Sequence, residues 1–328
     1  MAAPRVSIAM ATFEGGPYVM PQLESIAAQT RLPDELVVCD DASRDDTRDR
    51  VRDFASRAPF EVRLEVNHER LRTTRNFERA VSLCRGDIIF LADQDDVWLP
   101  HKIETLLQVF AEHAGVGAVF SDGLVVDSEL QSLGYGLWKS LSFTPAEQRL
   151  VRSGRAVEVF LKHVVAAGTT LAFRSDYRQL ALPFPELRSC HDAFIAFTIA
   201  AVAEIRIIEE PLIRYRLHGE NLIGIRKLGL RDQLEKAREQ ITFDAFSYAA
   251  IFFETARQRF AAQQETRFLP SKPSLALIDD KILHSRRRAT MPDSLLRRLP
   301  DILREAASGR YGRYSYGIKS IAQDLWLR

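Results

Sequence analysis

Cysteine is scarce in this chain of 328 residues. Cys39, Cys84 and Cys190 are odd in number, widely spaced and without a paired-Cys motif, which excludes a disulfide framework and leaves reduced, structural thiols as the expectation. Long apolar runs are missing too. The longest weakly polar stretch, Ala193 to Ala203, is far too short to span a bilayer. Met1 to Met10 lacks the charged-then-apolar layout of a signal peptide and runs straight into a strand, so a cytoplasmic protein is expected. Charge of one sign is absent as well. With 45 basic against 44 acidic side chains no global field holds nucleic acid, and any charged partner must be met locally.

What the chain has is 46% hydrophobic content, enough for one large α/β domain and an appendage. Strands alternate with helices through the first half. Val6 to Met10, Glu35 to Cys39, Glu61 to Val66 and Asp87 to Ala92 read as strands. The intervening Tyr18 to Gln29, Thr47 to Ala55 and Thr74 to Cys84, and then Pro100 to His113, have helical spacing. That order predicts a mostly parallel, Rossmann-like sheet with helices on both faces, whose ligands bind outside the carboxyl ends of the strands.

The polar signals fall at those ends. Asp93, Gln94, Asp95 and Asp96 follow the buried run Ile88 to Ala92 and bring three carboxylates to one spot. Alternation sends Asp93 and Asp95 to the same side, and hard oxygen ligands suit a divalent cation that also holds phosphate. An acidic loop capping the next helix is the competing reading. Thr12, Phe13 and Glu14 follow the first strand, and Asp40, Asp41 and Ser43 the second. Each group alone fits turn, capping or helix-dipole roles; three on one rim point to a ligand.

Val6-Ser7-Ile8-Ala9-Met10-Ala11-Thr12-Phe13-Glu14-Gly15, Val37-Val38-Cys39-Asp40-Asp41-Ala42-Ser43-Arg44-Asp45-Asp46-Thr47 and Asp93-Gln94-Asp95-Asp96-Val97-Trp98 resemble the successive motifs of the family 2 glycosyltransferases, which have the GT-A fold. The resemblance implies a nucleotide-sugar donor, nucleotide contacts at Thr12, Phe13, Glu14, Asp40, Asp41, Arg75 and Asp93, and a divalent metal, Mn²⁺ or Mg²⁺, held by Asp93 and Asp95. It departs from the family where Ala42 and Arg72 replace frequent glycines. A positive φ at Ala42 would cost on the order of 1 kcal/mol. The Arg72 cation either reaches the diphosphate or lies in solvent.

In the second half, Cys190-His191-Asp192-Ala193-Phe194 opens an apolar helix. Asp192 suits an N-cap; the resemblance makes it the general base of an inverting displacement. Tyr215-Arg216-Leu217-His218-Gly219-Glu220-Asn221 resembles the closing motif, with His218 as a third metal ligand and Arg214 and Arg216 near the diphosphate. Ala167 to Phe173 resembles the strand lining the sugar pocket. Substrate contacts are thereby assigned to Gly168, Thr169, Trp98, His191 and Arg216. The combined strings look most like the bacterial rhamnosyltransferases, implying dTDP-L-rhamnose as donor and a surface polysaccharide or lipid-linked oligosaccharide as acceptor; a UDP-hexose is the alternative donor.

The catalytic domain is expected over 1–227 and a mostly helical region over 228–328, with helices at Leu230 to Gln263, Lys281 to Arg288, Ser294 to Ala307 and Tyr314 to Leu327. Lys281 to Arg328 has 11 Lys and Arg against 4 Asp and Glu, a net of +7. Such a segment suits peripheral contact with an anionic membrane, packing on the catalytic domain, or a homodimer. Tyr311, Tyr314, Tyr316 and Trp326 are alternative platforms for acceptor sugars. A nucleotidyltransferase would need a Gly-rich, basic phosphate loop that Phe13-Glu14-Gly15-Gly16-Pro17 does not supply. A non-catalytic glycan-binding protein would not need metal ligands and a base.

Overall fold

The computed structural model describes residues 3–188, 190–218 and 245–327. Strands β1 (Val6–Thr12), β2 (Glu35–Asp40) and β4 (Ile88–Ala92) are buried almost throughout, because helices cover both faces of the sheet. Between them run α1 (Gly16–Ala27), α2 (Thr47–Arg57), β3 (Glu61–Val66) and α3 (Arg72–Leu83). β5 (Val97–Trp98) and α4 (Lys102–Glu112) follow. Period-two alternation divides the core: Ile8 and Met10 of β1 pack with Leu23 of α1, Phe54 of α2 and Leu106 of α4. Ala9 faces the opposite cluster with Phe77 and Val81 of α3.

β6 (Val116–Val126), β7 (Ser132–Gly136), β8 (Leu171–Arg174) and β9 (Glu204–Arg216) complete the sheet, whose order is β3-β2-β1-β4-β8-β6-β9-β5 with β7 beside β6. The first four strands pair in parallel as expected. β8 then enters between β4 and β6 antiparallel to both, and β5 pairs antiparallel with β9. The whole is therefore a mixed sheet. Short helices α5 (Leu137–Ser140), α6 (Pro145–Arg152), α7 (Ala156–Phe160) and α8 (Arg178–Ala181) lead to α9 (His191–Val202). α9 is apolar all round and buried along most of its length, as a helix packed on several sides must be.

The C-terminal region contributes α10 (Ala245–Ala261), α11 (Lys272–Ala289), α12 (Leu295–Ala307), α13 (Arg310–Tyr314) and α14 (Ile318–Trp326). The expected boundary at 227/228, the beginning of the helix expected from Leu230, and Gly219, Glu220 and Asn221 lie outside the described residues. α10 joins the sheet's own core: Phe252 packs edge-on to Phe194 at 5.2 Å, and Phe253 to Phe197 at 4.9 Å. The single helix expected from Tyr314 to Leu327 is broken at Ser315 to Gly317, where Gly317 adopts φ 59°.

Much of the basic excess of this region is turned inward. Arg288 pairs with Asp324 at 2.7 Å; Arg287 and Arg310 pair with Glu305 at 2.6 and 3.1 Å. Lys281 Nζ donates to the Tyr314 carbonyl at 2.9 Å. Tyr311 and Tyr314 are buried, which removes both as platforms for sugars. All three cysteines are free and buried, and burial pushes each thiol up to about 12.

Candidate active site

A cavity of about 1350 Å³ opens at the carboxyl ends of β1, β2 and β4 and is closed on its far side by α9 and α10. Single ligand pockets are usually about 300–1,000 Å³, so this volume exceeds what one small ligand fills. Its β1 side is built by interlocked turns. Gln94 Oε1 accepts from the Phe13 amide at 2.8 Å while Gln94 Nε2 donates to the Phe13 carbonyl at 3.1 Å. That approach requires glycine at position 15, where a Cβ would lie 2.3 Å from Gln94 Oε1. Glu14 lines the cavity and accepts from the Arg44 amide at 2.9 Å. The Arg70 guanidinium covers the Phe13 ring at 3.7 Å.

Asp41 also faces the cavity. Its Oδ1 accepts from Asn67 Nδ2 at 2.9 Å and from the Leu71 amide at 2.6 Å, and its Oδ2 from the Arg72 amide at 2.8 Å. It thus fixes the Asn67 to Arg72 turn that forms the next wall. Arg72 and Ala42 both adopt positive φ, 67° and 62°, so the two departures from glycine carry the backbone strain anticipated for Ala42.

The acidic motif forms the floor. Asp93 and Asp95 line the cavity, and Asp95 Oδ2 lies 2.9 Å from His218 Nε2. The His218 ring stacks on Tyr18 at 4.4 Å. Burial, then the neighbouring Asp96, Asp95 and Asp192 carboxylates, push Asp93 well above the usual carboxylate range. Burial and Asp95 push Asp96 up to about 8. Such a concentration of buried negative charge is what a divalent cation relieves. Among the described residues no three His, Cys, Asp or Glu side chains converge as a ready-made metal cage. The donor set therefore fits a cation that shares its coordination with phosphate and water.

Across the cavity Asp192 is held by two amides: Gly168 N–H donates to Oδ2 at 3.1 Å and Ala193 N–H to Oδ1 at 2.7 Å. His191 lies flat on Phe77 at 3.9 Å. It is buried on the cavity wall, and both ring nitrogens lack a hydrogen-bond partner among the described residues. A Cβ on Gly168 would come within 3.2 Å of His191 Nε2, so glycine there lets the two segments close up.

Thr12, Phe13, Glu14, Asp41, Arg75, Asp93, Asp95, Gly168, His191, Asp192 and His218 thus meet around one space. Four other expected contacts stand behind its wall. Asp40 is buried, taking Thr12 Oγ1 at 3.0 Å and Ser43 Oγ at 2.6 Å, so it braces the rim. Thr169 is buried beneath Gly168, its carbonyl accepting from Lys102 Nζ at 2.7 Å. Trp98 is buried with Lys102 Nζ 3.4 Å from its ring centre. Arg216 turns inward, donating from Nε to the Asp95 carbonyl at 2.7 Å and from Nη1 to the Ser128 carbonyl at 2.6 Å. It fastens the acidic motif to β9. Arg214 is exposed outside the cavity, and Arg75 reaches the wall with its charge paired to Glu78 at 2.7 Å and Glu186 at 3.1 Å.

Sequence reasoning missed Lys102, which lies buried behind Asp93 and Asp96 with its ammonium pK pushed down by burial. It also missed Tyr18, Tyr215, and the α10 residues Tyr248, Phe252 and Phe253. A lysine inside an amphipathic pattern gives no sign that it turns inward, but aromatic residues clustered on a helix of the second region were a readable signal of a shared wall.

A mixed sheet with a carboxylate-lined cavity at its carboxyl rim, flanked by a helical C-terminal region, is the architecture of the GT-A class. The profile of glycosyl transferase family 2 matches residues 7–175; this chain belongs to that family. An uncharacterized glycosyltransferase of Nostoc is 22% identical over 229 residues, 66% of this chain and 66% of that protein. The Escherichia coli UDP-Glc:alpha-D-GlcNAc-diphosphoundecaprenol beta-1,3-glucosyltransferase is 28% identical over 108 residues, 33% of this chain and 42% of that one. Each match spans less than two thirds of the relative's length. The crystal structure of Staphylococcus aureus TarS 1-349 with UDP-GlcNAc covers 94% of this chain and 89% of its own at 16% identity and TM-score 0.53, a likeness of fold. Among the described residues no helix is long and apolar enough to cross a membrane.

Proposed function

We propose that this chain is a glycosyltransferase that transfers its sugar by direct displacement with inversion, and that Asp192 is the general base. The carrying observation is the placement of the Asp192 carboxylate, fixed by the Gly168 and Ala193 amides, in the same cavity as Asp93 and Asp95. The nucleotide lies along Thr12, Phe13, Glu14 and Asp41. The acceptor hydroxyl gives its proton to Asp192 as its oxygen bonds to the anomeric carbon, and the bond from that carbon to the diphosphate breaks with its electron pair leaving on the phosphate oxygen. Asp93, Asp95 and His218 would hold a divalent cation, whose chemistry is to offset the negative charge accumulating on the leaving diphosphate. Imidazole in the set suits Mn²⁺ better than Mg²⁺. His191, with unpartnered ring nitrogens, is placed to hydrogen-bond a sugar hydroxyl.

The donor is read as dTDP-L-rhamnose, supported by the sequence strings Asp93 to Trp98, His191-Asp192 and Arg216 to Asn221. The acceptor is read as a surface-polysaccharide or lipid-linked glycan. Its support is the aromatic α10 wall, which suits stacking on sugar rings, and the diphosphoundecaprenol-linked acceptor in the name of the E. coli relative. That name also favours a second donor reading, a UDP-hexose. Turnover of a nucleotide-sugar panel decides between them, and the product linkage must be inverted relative to the donor. Retention of configuration, or hydrolysis without transfer across a glycan panel, would overturn the mechanism.

A further inference from the structure

α12 is built inside out. At about 100° per residue, Arg298, Ile302 and Glu305 fall on one face, and Leu296, Leu299 and Leu303 on a stripe centred about 130° round the helix from it. The face turned to the protein is the one with the charges: Arg298 and Glu305 are buried, Glu305 accepting from His284 Nδ1 at 2.7 Å and Arg287 Nη1 at 2.6 Å, and Arg298 Nη2 donating to the Leu325 carbonyl at 3.1 Å. The face turned to solvent is leucine, with Leu296 84% and Leu303 60% exposed. An ordinary surface helix has the reverse arrangement. Neighbouring α14 repeats the feature, with Ile318 84% and Trp326 74% exposed.

We propose that this leucine face of α12, with Ile318 and Trp326, is a docking surface for an anionic lipid bilayer, on which the enzyme lies without spanning it. Three observations select a bilayer. Arg297, exposed and without a partner among the described residues, and Arg304, whose Asp301 contact is a loose 3.5 Å, stand on one flank of the leucine stripe, where they meet phosphate headgroups as the leucines enter the acyl boundary. The stripe itself has no acidic residue. The exposed Trp326 and the half-exposed Tyr316 are residue types that favour the headgroup level. The basic count of this region overstated the charge available, since Lys281, Arg287, Arg288, Arg298 and Arg310 are engaged inside it. The apolar stripe therefore contributes most of the attachment, and the arginines orient it.

The purpose of the surface rests on the reading of a lipid-linked acceptor, but its test does not. The full chain is sedimented with vesicles of phosphatidylcholine alone or with 30% phosphatidylglycerol, containing no acceptor. The wild type is expected to pellet at least tenfold better with the anionic vesicles, and the double variant Leu296→Asp/Leu303→Asp to stay in solution. Both side chains are exposed, so the variant's melting temperature and its transfer to a water-soluble acceptor should remain at wild-type level. Arg297→Gln/Arg304→Gln should reduce the preference for anionic lipid without abolishing binding. Equal pelleting of the wild type and the leucine variant, or no pelleting of the wild type, overturns the proposal. So does a wild-type dimer that the leucine variant dissolves in the absence of vesicle binding, which would assign the face to a second copy of the chain. Vesicle binding together with failure to use any lipid-linked acceptor would instead refute the acceptor reading alone.

Discussion

Arg72 combines a strained backbone with a side chain on the cavity wall, and one substitution separates the effect of the strain from any role in donor binding. Its backbone is held at φ 67° by the amide that donates to Asp41 Oδ2 at 2.8 Å, a region where an L side chain crowds its own carbonyl at a cost of about 1–2 kcal/mol. Glycine relieves that crowding but gives back about 0.4–1 kcal/mol through its freer unfolded chain, leaving Arg72→Gly more stable by about 0.8 kcal/mol at the middle of both ranges. The same arithmetic holds for Ala42→Gly at φ 62°, in the turn fixed by the Ser43 amide donating to Asp40 at 2.9 Å. The two variants differ in what else they remove. The Arg72 side chain lines the cavity without an acidic partner among the described residues, so its loss takes away one cation from the wall that the proposed donor diphosphate would face. About 1.4 kcal/mol, tenfold in donor KM, is expected with little change in kcat. Urea unfolding at an unchanged m value measures the first effect, and steady-state kinetics the second. Ala42→Gly should show the stability gain alone. If Arg72→Gly left donor KM at the wild-type value, the arginine would lie in solvent. If neither glycine variant gained stability, the strain argument itself would fail.

Asp192→Asn should leave nucleotide affinity near wild type and lower kcat by ~10²-fold or more; wild-type kcat would reduce Asp192 to a brace between Gly168 and Ala193. Asp95→Ala should lower transfer by at least ~10²-fold, and excess chelator should do the same to the wild type; full activity in chelator would remove the metal from the mechanism. At the opposite end of the sheet, burial pushes the Glu35 carboxyl up, but hydrogen bonds from Ser7, the Arg85 amide, Arg63 and the Arg85 guanidinium outweigh it and hold it at about 2 against an ordinary 4.5. Its stabilisation, on the order of 3 kcal/mol, is complete above pH 4.5 and is lost as pH falls toward 2. Glu35→Gln should flatten that part of the acid-unfolding curve measured by circular dichroism, and an unchanged slope would refute the linkage.

The parallel half of the sheet was legible because β1, β2 and β4 are covered on both faces and therefore read as unbroken apolar runs. β8 was anticipated only through its resemblance to a sugar-pocket strand, and its antiparallel insertion between β4 and β6 is a tertiary choice that four residues cannot announce. Among site residues, those reading correctly as wall positions stand at strand ends or on turns, where the sequence places a polar group against an apolar background. Arg216, Trp98 and Asp40 misled because their chemistry suits substrate while their burial commits them to the scaffold: Arg216 ties the Asp95 carbonyl to β9, and Asp40 ties Thr12 to Ser43. Charge counting failed for the C-terminal helices for the same reason. A composition of +7 says nothing about which arginines face Glu305 and Asp324 and which face solvent.

The division of labour within the cavity follows from where the family match stops. Residues 7–175 contain the cavity wall from Thr12 through the acidic motif to Gly168, most of it at strand ends whose spacing the sheet dictates. Asp192, His191 and His218 lie beyond that segment, as do the α10 residues Tyr248, Phe252 and Phe253 that close the cavity. Asp192 stands at the junction: its helix, α9, packs on the sheet through Phe194 and Phe197 and on α10 through the same two rings. A change in the α10 wall can therefore reshape the space offered to an acceptor while the carboxylate stays anchored to Gly168. The physical consequence is that the two walls of the cavity reside on separate elements, coupled through α9.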